Sequence, residues 1–202
     1  MNAPILWIFL PLAIGGFALL FRSERVLTLL GGMSALILSL LAFIIPIDTA
    51  LLIGSFSFKL AGSLNVLGRS FVLEPADGPL LAILYGLAAM WFFGAEAMGL
   101  ARRLIPAGLA ILSLLVAATA VRPFLFAAVF IEIAVLLSVP MLLPPNQKPG
   151  RGILRYIIFQ TLAVPFILFA GWLLSGVETS PGDVDMTIQA TAMLAMGFAF
   201  LL

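Results

Sequence analysis

The chain has 202 residues, of which 63% are hydrophobic and only 9% charged, whereas soluble domains carry about 25% charged residues; this composition indicates a helical protein that crosses a membrane several times. The formal net charge of +1 argues against nucleic acid as a partner, because nucleic-acid binding needs a concentrated basic face. The chain contains no cysteine and no histidine, which excludes thiolate-ligated iron–sulfur clusters, histidine-ligated haem and the usual zinc sites within it.

Seven apolar segments follow one another along the chain, and each is predicted to be a transmembrane helix. They lie at approximately 4–21, 26–45, 79–100, 104–121, 123–143, 153–175 and 186–202. Backbone groups inside a bilayer must find their hydrogen bonds within the segment, which favours helices. The first segment lacks the basic start and the cleavage site of a signal peptide, so we interpret it as a retained span. We therefore expect an all-α polytopic membrane protein in which residues 1–202 form a single transmembrane domain.

Residues 46–78 differ from the other connectors because they are too long for a simple turn. Within them SFSFKL (55–60) alternates polar and apolar residues, and so in part does GRSFVLE (68–74). Alternation with a period of two predicts strands, so we expect these two stretches to form a β-hairpin at the membrane surface, with residues 61–63 between them. An irregular loop is the alternative interpretation.

The distribution of basic residues predicts the orientation of the chain. If the N-terminus is outside, seven basic residues lie in inside loops and three in outside segments. The inside group comprises Arg22, Arg25, Arg102, Arg103, Lys148, Arg151 and Arg155, and the outside group comprises Lys59, Arg69 and Arg122. Cytoplasmic loops carry an excess of Lys and Arg, so we place the N-terminus and the 46–78 hairpin segment on the extracytoplasmic side.

Glu132 is the first candidate for function, because it lies alone in the middle of the apolar run from Pro123 to Pro145. A carboxylate at the centre of a spanning helix costs roughly 2.5–3.5 kcal/mol on insertion scales, and such residues usually face a bundle interior or a wet path. Burial favours the neutral form of a carboxyl group and a nearby cation favours the charged form, so a membrane Glu between these effects can load and release a proton. The alternative is a structural Glu that pairs with a neighbouring helix and never titrates.

Three further polar residues are candidates for a proton path. Arg155 opens the sixth segment, but at about 1.5 Å per residue it lies some 10 Å or more from Glu132 along the membrane normal, and a role as an inside anchor is the alternative. Gln160, with Thr161 beside it, lies deeper in the same segment and could bond across the bundle or line a hydrated path. Glu96, near the inner end of the third segment, fits an interfacial role or the entry to a proton path. The sequence has no phosphate loop, nucleophile–base pair or metal constellation, so we expect no catalytic site in this chain.

The order of these elements resembles the N-terminal half of the antiporter-like membrane subunits of proton-pumping NADH:quinone oxidoreductase (complex I). The same superfamily includes Mrp-type cation/proton antiporters and membrane-bound hydrogenase subunits. The resemblance covers essentially the whole chain: two helices, a surface hairpin, and a run of helices with a lone Glu in the fifth. Three stretches carry it in detail, FIEIAVLLSVPMLL (130–143), GRGILRYIIFQTL (150–162) and MLAMGFAFLL (193–202). They are similar to the family's Glu-bearing helix, to its next helix with a basic and an aromatic residue at the start, and to the beginning of its seventh helix.

The resemblance implies a membrane subunit of a redox-driven proton pump in an energy-transducing plasma or inner membrane. Glu132 matches the family's essential membrane glutamate, and Arg155 matches its basic residue at the start of helix six. No cofactor is then expected in this chain, whereas quinone and iron–sulfur clusters are expected in partner subunits, both membrane-embedded and peripheral. A Na⁺/H⁺ antiporter or membrane-bound hydrogenase subunit is one alternative function, and a structural scaffold subunit is another.

The seventh segment departs from the family pattern. The family usually places a Lys there, just after a Gly-Phe-like pair, and the matching residues 197–202 contain none. Either Leu201 occupies that position or the Lys lies beyond residue 202. The last segment also stops without a polar flank, so we expect the chain to be the N-terminal portion of a longer antiporter-like subunit.

Overall fold

The computed structural model describes residues 2–53, 56–66, 68–142, 150–179 and 184–201. A π-helical turn, Ile5–Phe9, leads into the first helix. The helices are α1 (Leu10–Ala18), α2 (Glu24–Ile44), α3 (Gly78–Gly94), α4 (Ala101–Ala120), α5 (Ala127–Leu142), α6 (Arg151–Thr179) and α7 (Val184–Leu201). Among the described residues six helical segments are long and apolar enough to cross a membrane, and Ile5–Ala18 is apolar but shorter. The prediction of an all-α polytopic membrane protein is confirmed.

Among the C-terminal helix ends, those of the third and sixth segments differ most from the prediction. The third segment ends at Gly94 instead of residue 100, and a turn follows in which Gly99 has φ +63°. Glycine adopts this left-handed conformation without steric penalty, which lets the chain reverse before α4 begins. Glu96 therefore lies in the turn after α3. The sixth segment, in contrast, continues as helix to Thr179.

Neighbouring helices alternate in direction, so the bundle has two distinct ends. At the end where α2, α4 and α6 begin, which we call the basic end, the Arg102 backbone N–H donates to a Glu24 carboxylate oxygen at 3.1 Å. Arg25 pairs there with Glu96 at 3.5 Å. At the other end the backbone N–H of Ala3 donates to a carbonyl of the 46–78 segment at 2.8 Å. The basic loops and the strands thus lie at opposite ends, and which end faces the cytoplasm stays a prediction.

The strands of the 46–78 segment form two hairpins. Their bounds are β1 (Ala50–Ile53), β2 (Phe56–Lys59), β3 (Ser63–Val66) and β4 (Arg69–Val72), and β5 (Val121–Arg122) follows α4. β1 pairs with β2, and β3, β4 and β5 form a second antiparallel sheet in that order. The predicted pairing of 55–60 with 68–74 is therefore wrong, because each stretch pairs within its own hairpin. Gly68, with φ +75°, supplies the left-handed residue that a tight turn between β3 and β4 needs.

The second sheet fixes the start of α5. β4 pairs with β5, which is followed by a 3-10 turn, Phe124–Phe126, and then by that helix. The Arg69 guanidinium lies 3.9 Å from the centre of the Phe126 ring, in the range of a cation–π contact. Phe71 packs edge-on against Phe130, with 5.8 Å between the ring centroids. These three contacts end two residues before Glu132, so the strands position the helix that carries it.

The N-terminal π-turn is bonded to three other helices. Pro11 has no backbone N–H, so the carbonyl of Trp7 lacks its α-helical donor. The Tyr85 hydroxyl of α3 donates to that carbonyl, and the Ser113 hydroxyl of α4 donates to the carbonyl of Ile8. The Trp7 indole N–H donates to a carbonyl of α2 at 3.2 Å. The short first helix is therefore held in the bundle by hydrogen bonds as well as by packing.

We expect Tyr85→Phe to destabilise the protein by about 1–3 kcal/mol, because the Trp7 carbonyl then loses its side-chain donor in a buried site. Side-chain hydrogen bonds in membrane bundles average about 0.6 kcal/mol, but here Pro11 has already removed the α-helical donor to this carbonyl. Thermal unfolding in detergent measures the effect. Tyr156→Phe is the matched control. It should lower the unfolding temperature less, because its partner, the Ser138 hydroxyl, still donates to the Val135 carbonyl when the phenol is removed. An equal decrease of the unfolding temperature in the two variants would contradict the stabilising role of the Tyr85 hydrogen bond.

The adjacent glycines of α1 give a second matched pair. A Cβ on Gly15 would lie 2.9 Å from the Pro106 carbonyl oxygen and 3.2 Å from the Leu109 Cβ, whereas a Cβ on Gly16 meets nothing within 4 Å. We expect Gly15→Ala to cost about 1–3 kcal/mol because α1 must move away from α4. Gly16→Ala should be neutral or stabilising by up to about 1 kcal/mol, since Ala favours helix. Chemical denaturation in mixed micelles compares the two, and an equally stable Gly15→Ala variant would contradict the close helix contact.

Candidate functional site

Glu132 lies within the apolar part of α5 and is half-buried against α6. Its Oε1 accepts a hydrogen bond from the Thr161 hydroxyl of α6 at 3.3 Å. Its Oε2 is buried and has no hydrogen-bond partner among the described residues. The carboxyl group is thus held by one oxygen and left open at the other.

An unpartnered buried oxygen needs a physical explanation, because leaving a buried acceptor unsatisfied costs about 1–3 kcal/mol, and more for a charged group. For Glu132 a water molecule that donates to Oε2 would remove this cost. Oε2 is therefore the atom of the carboxyl group that is left for a further hydrogen bond.

A second polar contact lies along the same helix interface. Ser138 of α5 and Tyr156 of α6 bond through their hydroxyl groups at 2.9 Å. Ser138 follows Glu132 by six residues and Tyr156 precedes Thr161 by five, as antiparallel packing requires. At about 1.5 Å per residue, the two contacts are about 9 Å apart along the helices. We call these four residues the α5–α6 seam.

Arg155 does not reach Glu132. It is exposed, beside Tyr156 near the start of α6, and no ion pair joins it to Glu132 in the part of the chain that the structure describes. Thr161 stands at the level of Glu132, six residues and therefore about 9 Å beyond Arg155. The hydroxyl of Thr161 is the group that the structure brings to Glu132 in its place.

Gln160 and Glu96 lie in other contacts. Gln160 is buried, with 7% of its surface exposed, and its amide donates to the carbonyl of Leu201 in α7 at 2.9 Å. It therefore joins α6 to α7. Glu96 pairs with Arg25 in a partly exposed ion pair at the basic end. Of the four residues predicted for a proton path, Glu132 alone belongs to the seam.

Sequence reasoning missed the bond between Ser138 and Tyr156. Both residues stand in stretches that resemble the family's helices, but their contact depends on how α5 and α6 are aligned. The signal that could have found them is the matching interval from Glu132 and from Thr161 on two antiparallel helices. Among the described residues no group of three or more Asp, Glu, His or Cys side chains is placed to hold a metal ion.

Comparison of the chain with models of protein families, with curated proteins and with solved structures finds no match. Function is therefore inferred from the chemistry of the seam and from the resemblance of the helix sequences to antiporter-like subunits. The chemistry of the seam is that of a carboxyl group with one fixed and one open oxygen, next to a pair of bonded hydroxyls.

We expect Thr161→Val, which keeps the shape of the side chain, to remove the only hydrogen bond that the described residues make to Oε1 of Glu132. The carbonyl stretch of the protonated Glu132 carboxyl group should then move to higher frequency in infrared difference spectra. Thr191→Val is the control, because its hydroxyl donates to the Thr187 carbonyl of its own helix. An unchanged spectrum in Thr161→Val would show that this hydroxyl does not hold the carboxyl group.

Proposed function

We propose that the chain is a membrane subunit of a redox-driven proton pump, related to the antiporter-like subunits of NADH:quinone oxidoreductase, and that protons pass through Glu132. The observation that supports this proposal is the buried, unpartnered Oε2 of a lone carboxyl group in an apolar helix. Ionisable residues in such places are expensive to insert and usually serve ion or proton transfer.

In this proposal the residues of the chain bind and release protons but transfer no electrons. Thr161 holds Oε1 of Glu132 and thereby fixes the direction in which Oε2 points. The chain has no thiolate or imidazole ligands, so iron–sulfur clusters and the quinone-reducing centre are assigned to partner subunits. The basic end is assigned to the inside of the membrane and the strands to the outside, following the distribution of basic residues.

The proposal does not depend on a lysine in the seventh helix. Residues 197–202 contain no Lys. In α7 Gly197 is buried, and a Cβ there would lie 2.8 Å from Ile167 and 3.4 Å from the Ala163 carbonyl oxygen. Gly197, at the start of the stretch that matches the family's lysine, thus packs closely on α6. A proton at Glu132 is therefore proposed to exchange along α5 and α6.

We expect Glu132→Gln to reduce coupled proton translocation about tenfold or more in vesicles of the native membrane, with the subunit still assembled. Gln keeps the size and the acceptor for Thr161 but cannot carry the proton, and a barrier higher by about 1.4 kcal/mol already slows a step tenfold. Asp48→Asn is the matched acid-to-amide control, because among the described residues the Asp48 carboxylate forms an exposed ion pair with Lys59 at 3.0 Å and no other contact of this kind. Electron transfer and proton movement are recorded together.

The outcomes separate the alternatives. Normal translocation in assembled Glu132→Gln would remove this residue from the mechanism, and loss of assembly in Glu132→Ala with normal transport in Glu132→Gln would favour a scaffold subunit. Proton movement that follows a Na⁺ gradient without an electron donor would favour cation/proton exchange. Purification of the tagged chain in mild detergent, with mass spectrometry of what is retained, identifies whether redox subunits accompany it.

A further inference from the structure

We propose that Tyr156 and Ser138 form a hydroxyl relay that carries protons between the basic end of the bundle and Glu132. This inference rests on the proposed function, since only a chain that moves protons needs such a relay. The observation behind it is the direct bond between the two hydroxyl groups, at 2.9 Å, on the interface that also holds Glu132.

The hydrogen-bond partners determine the direction of this pair. Ser138 has a single hydroxyl proton, which it donates to the Val135 carbonyl at 2.6 Å. The Ser138 oxygen is then the acceptor in its bond with Tyr156, and the Tyr156 hydroxyl is the donor. The phenol therefore points its proton into the seam, toward the next hydroxyl.

A phenol that donates to another hydroxyl hands its proton to an oxygen that has a proton of its own to release, whereas a phenol that donates to a backbone carbonyl has no such acceptor. Tyr85 shows the second arrangement, because its hydroxyl donates to the backbone carbonyl of Trp7 in the N-terminal π-turn. Tyr85 is the only other tyrosine of the chain. The two tyrosines thus differ in the chemistry that their hydroxyl partners allow, and only the Tyr156 hydroxyl is bonded to another hydroxyl.

The two hydroxyls lie between the basic end and the carboxyl group. Tyr156 is half-buried and lies five residues, about 7.5 Å, from the first residue of α6. Ser138 is also half-buried and lies about 9 Å from the level of Glu132. With hydrogen bonds of about 2.8 Å, two or three water molecules span each interval. The pair therefore divides a path too long for one contact into two short ones.

The transfer conserves charge at each step. A hydronium ion at the basic end gives a proton to the Tyr156 oxygen while the phenol proton moves to the Ser138 oxygen. The original Ser138 proton leaves for a water molecule in the seam, and that water delivers one proton to Oε2 of Glu132. The Val135 carbonyl keeps the backbone N–H of Val139, its donor in the α-helix, so Ser138 can release it at little cost. Rotation of both hydroxyls restores the starting arrangement.

The test uses the assembled complex in native membrane vesicles and measures the rate of proton uptake. We expect Tyr156→Phe and Ser138→Ala each to slow uptake about tenfold, since water replaces a missing hydroxyl only partly. Ser138→Thr keeps a hydroxyl and should restore the rate. Ser175→Ala is the control, because its hydroxyl donates only to the Trp172 carbonyl of its own helix among the described residues. The infrared signal of protonated Glu132 should keep its amplitude in all four variants.

The results distinguish this inference from the proposed function. If Glu132→Gln is inactive while Tyr156→Phe and Ser138→Ala take up protons at the normal rate, the relay is wrong and the proposed function stands. If Glu132→Gln is also normal, both are wrong. If Ser138→Thr remains as slow as Ser138→Ala, the bond is a structural contact and the relay is again wrong. Should Tyr156→Phe fail to assemble, the two Ser138 variants decide alone.

Discussion

The fold depends on one constraint, namely that a polar group inside an apolar bundle must find a partner within the protein. Pro11 leaves the Trp7 carbonyl without its helical donor, and the Tyr85 hydroxyl of another helix supplies one. The Ser39 hydroxyl of α2 donates to the carbonyl of Ala82 in α3 at 2.6 Å. These bonds join residues that are far apart in the sequence. The hydrogen bonds that satisfy polar groups therefore also hold the helices of the bundle together.

Two buried side-chain atoms of the described residues depart from this constraint, Oγ1 of Thr28 and Oε2 of Glu132. They differ in what the departure costs. A hydroxyl without a partner is neutral, and leaving it unsatisfied in a buried site costs about 1–3 kcal/mol of stability. A carboxylate without a partner carries a charge, for which burial is far more expensive. The unpartnered Oε2 of Glu132 is therefore the more costly of the two departures.

The sequence was sufficient where one residue or one run decides the outcome, and insufficient where two distant segments must be aligned. The apolar runs located the helices, and the lone Glu132 in one of them indicated the candidate site. The partner of each strand could not be predicted, because 55–60 and 68–74 alternate equally well and period alone does not select a pairing. The bond between Ser138 and Tyr156 could not be predicted either, since it depends on the relative shift of α5 and α6.

The surroundings of Glu132 differ along α5. Toward the strand end the described contacts are aromatic: Phe130 packs on Phe71, and Phe126 lies under the Arg69 guanidinium. Toward the basic end the contacts are hydroxyls. Aromatic rings exclude water, whereas hydroxyls bind it, so the side of Glu132 toward the basic end is more polar than the side toward the strands. A pump needs access from both sides in turn. In the proposed function the seam would serve proton exchange with the basic end, and access from the other side would then run through α6 and α7 or a partner subunit.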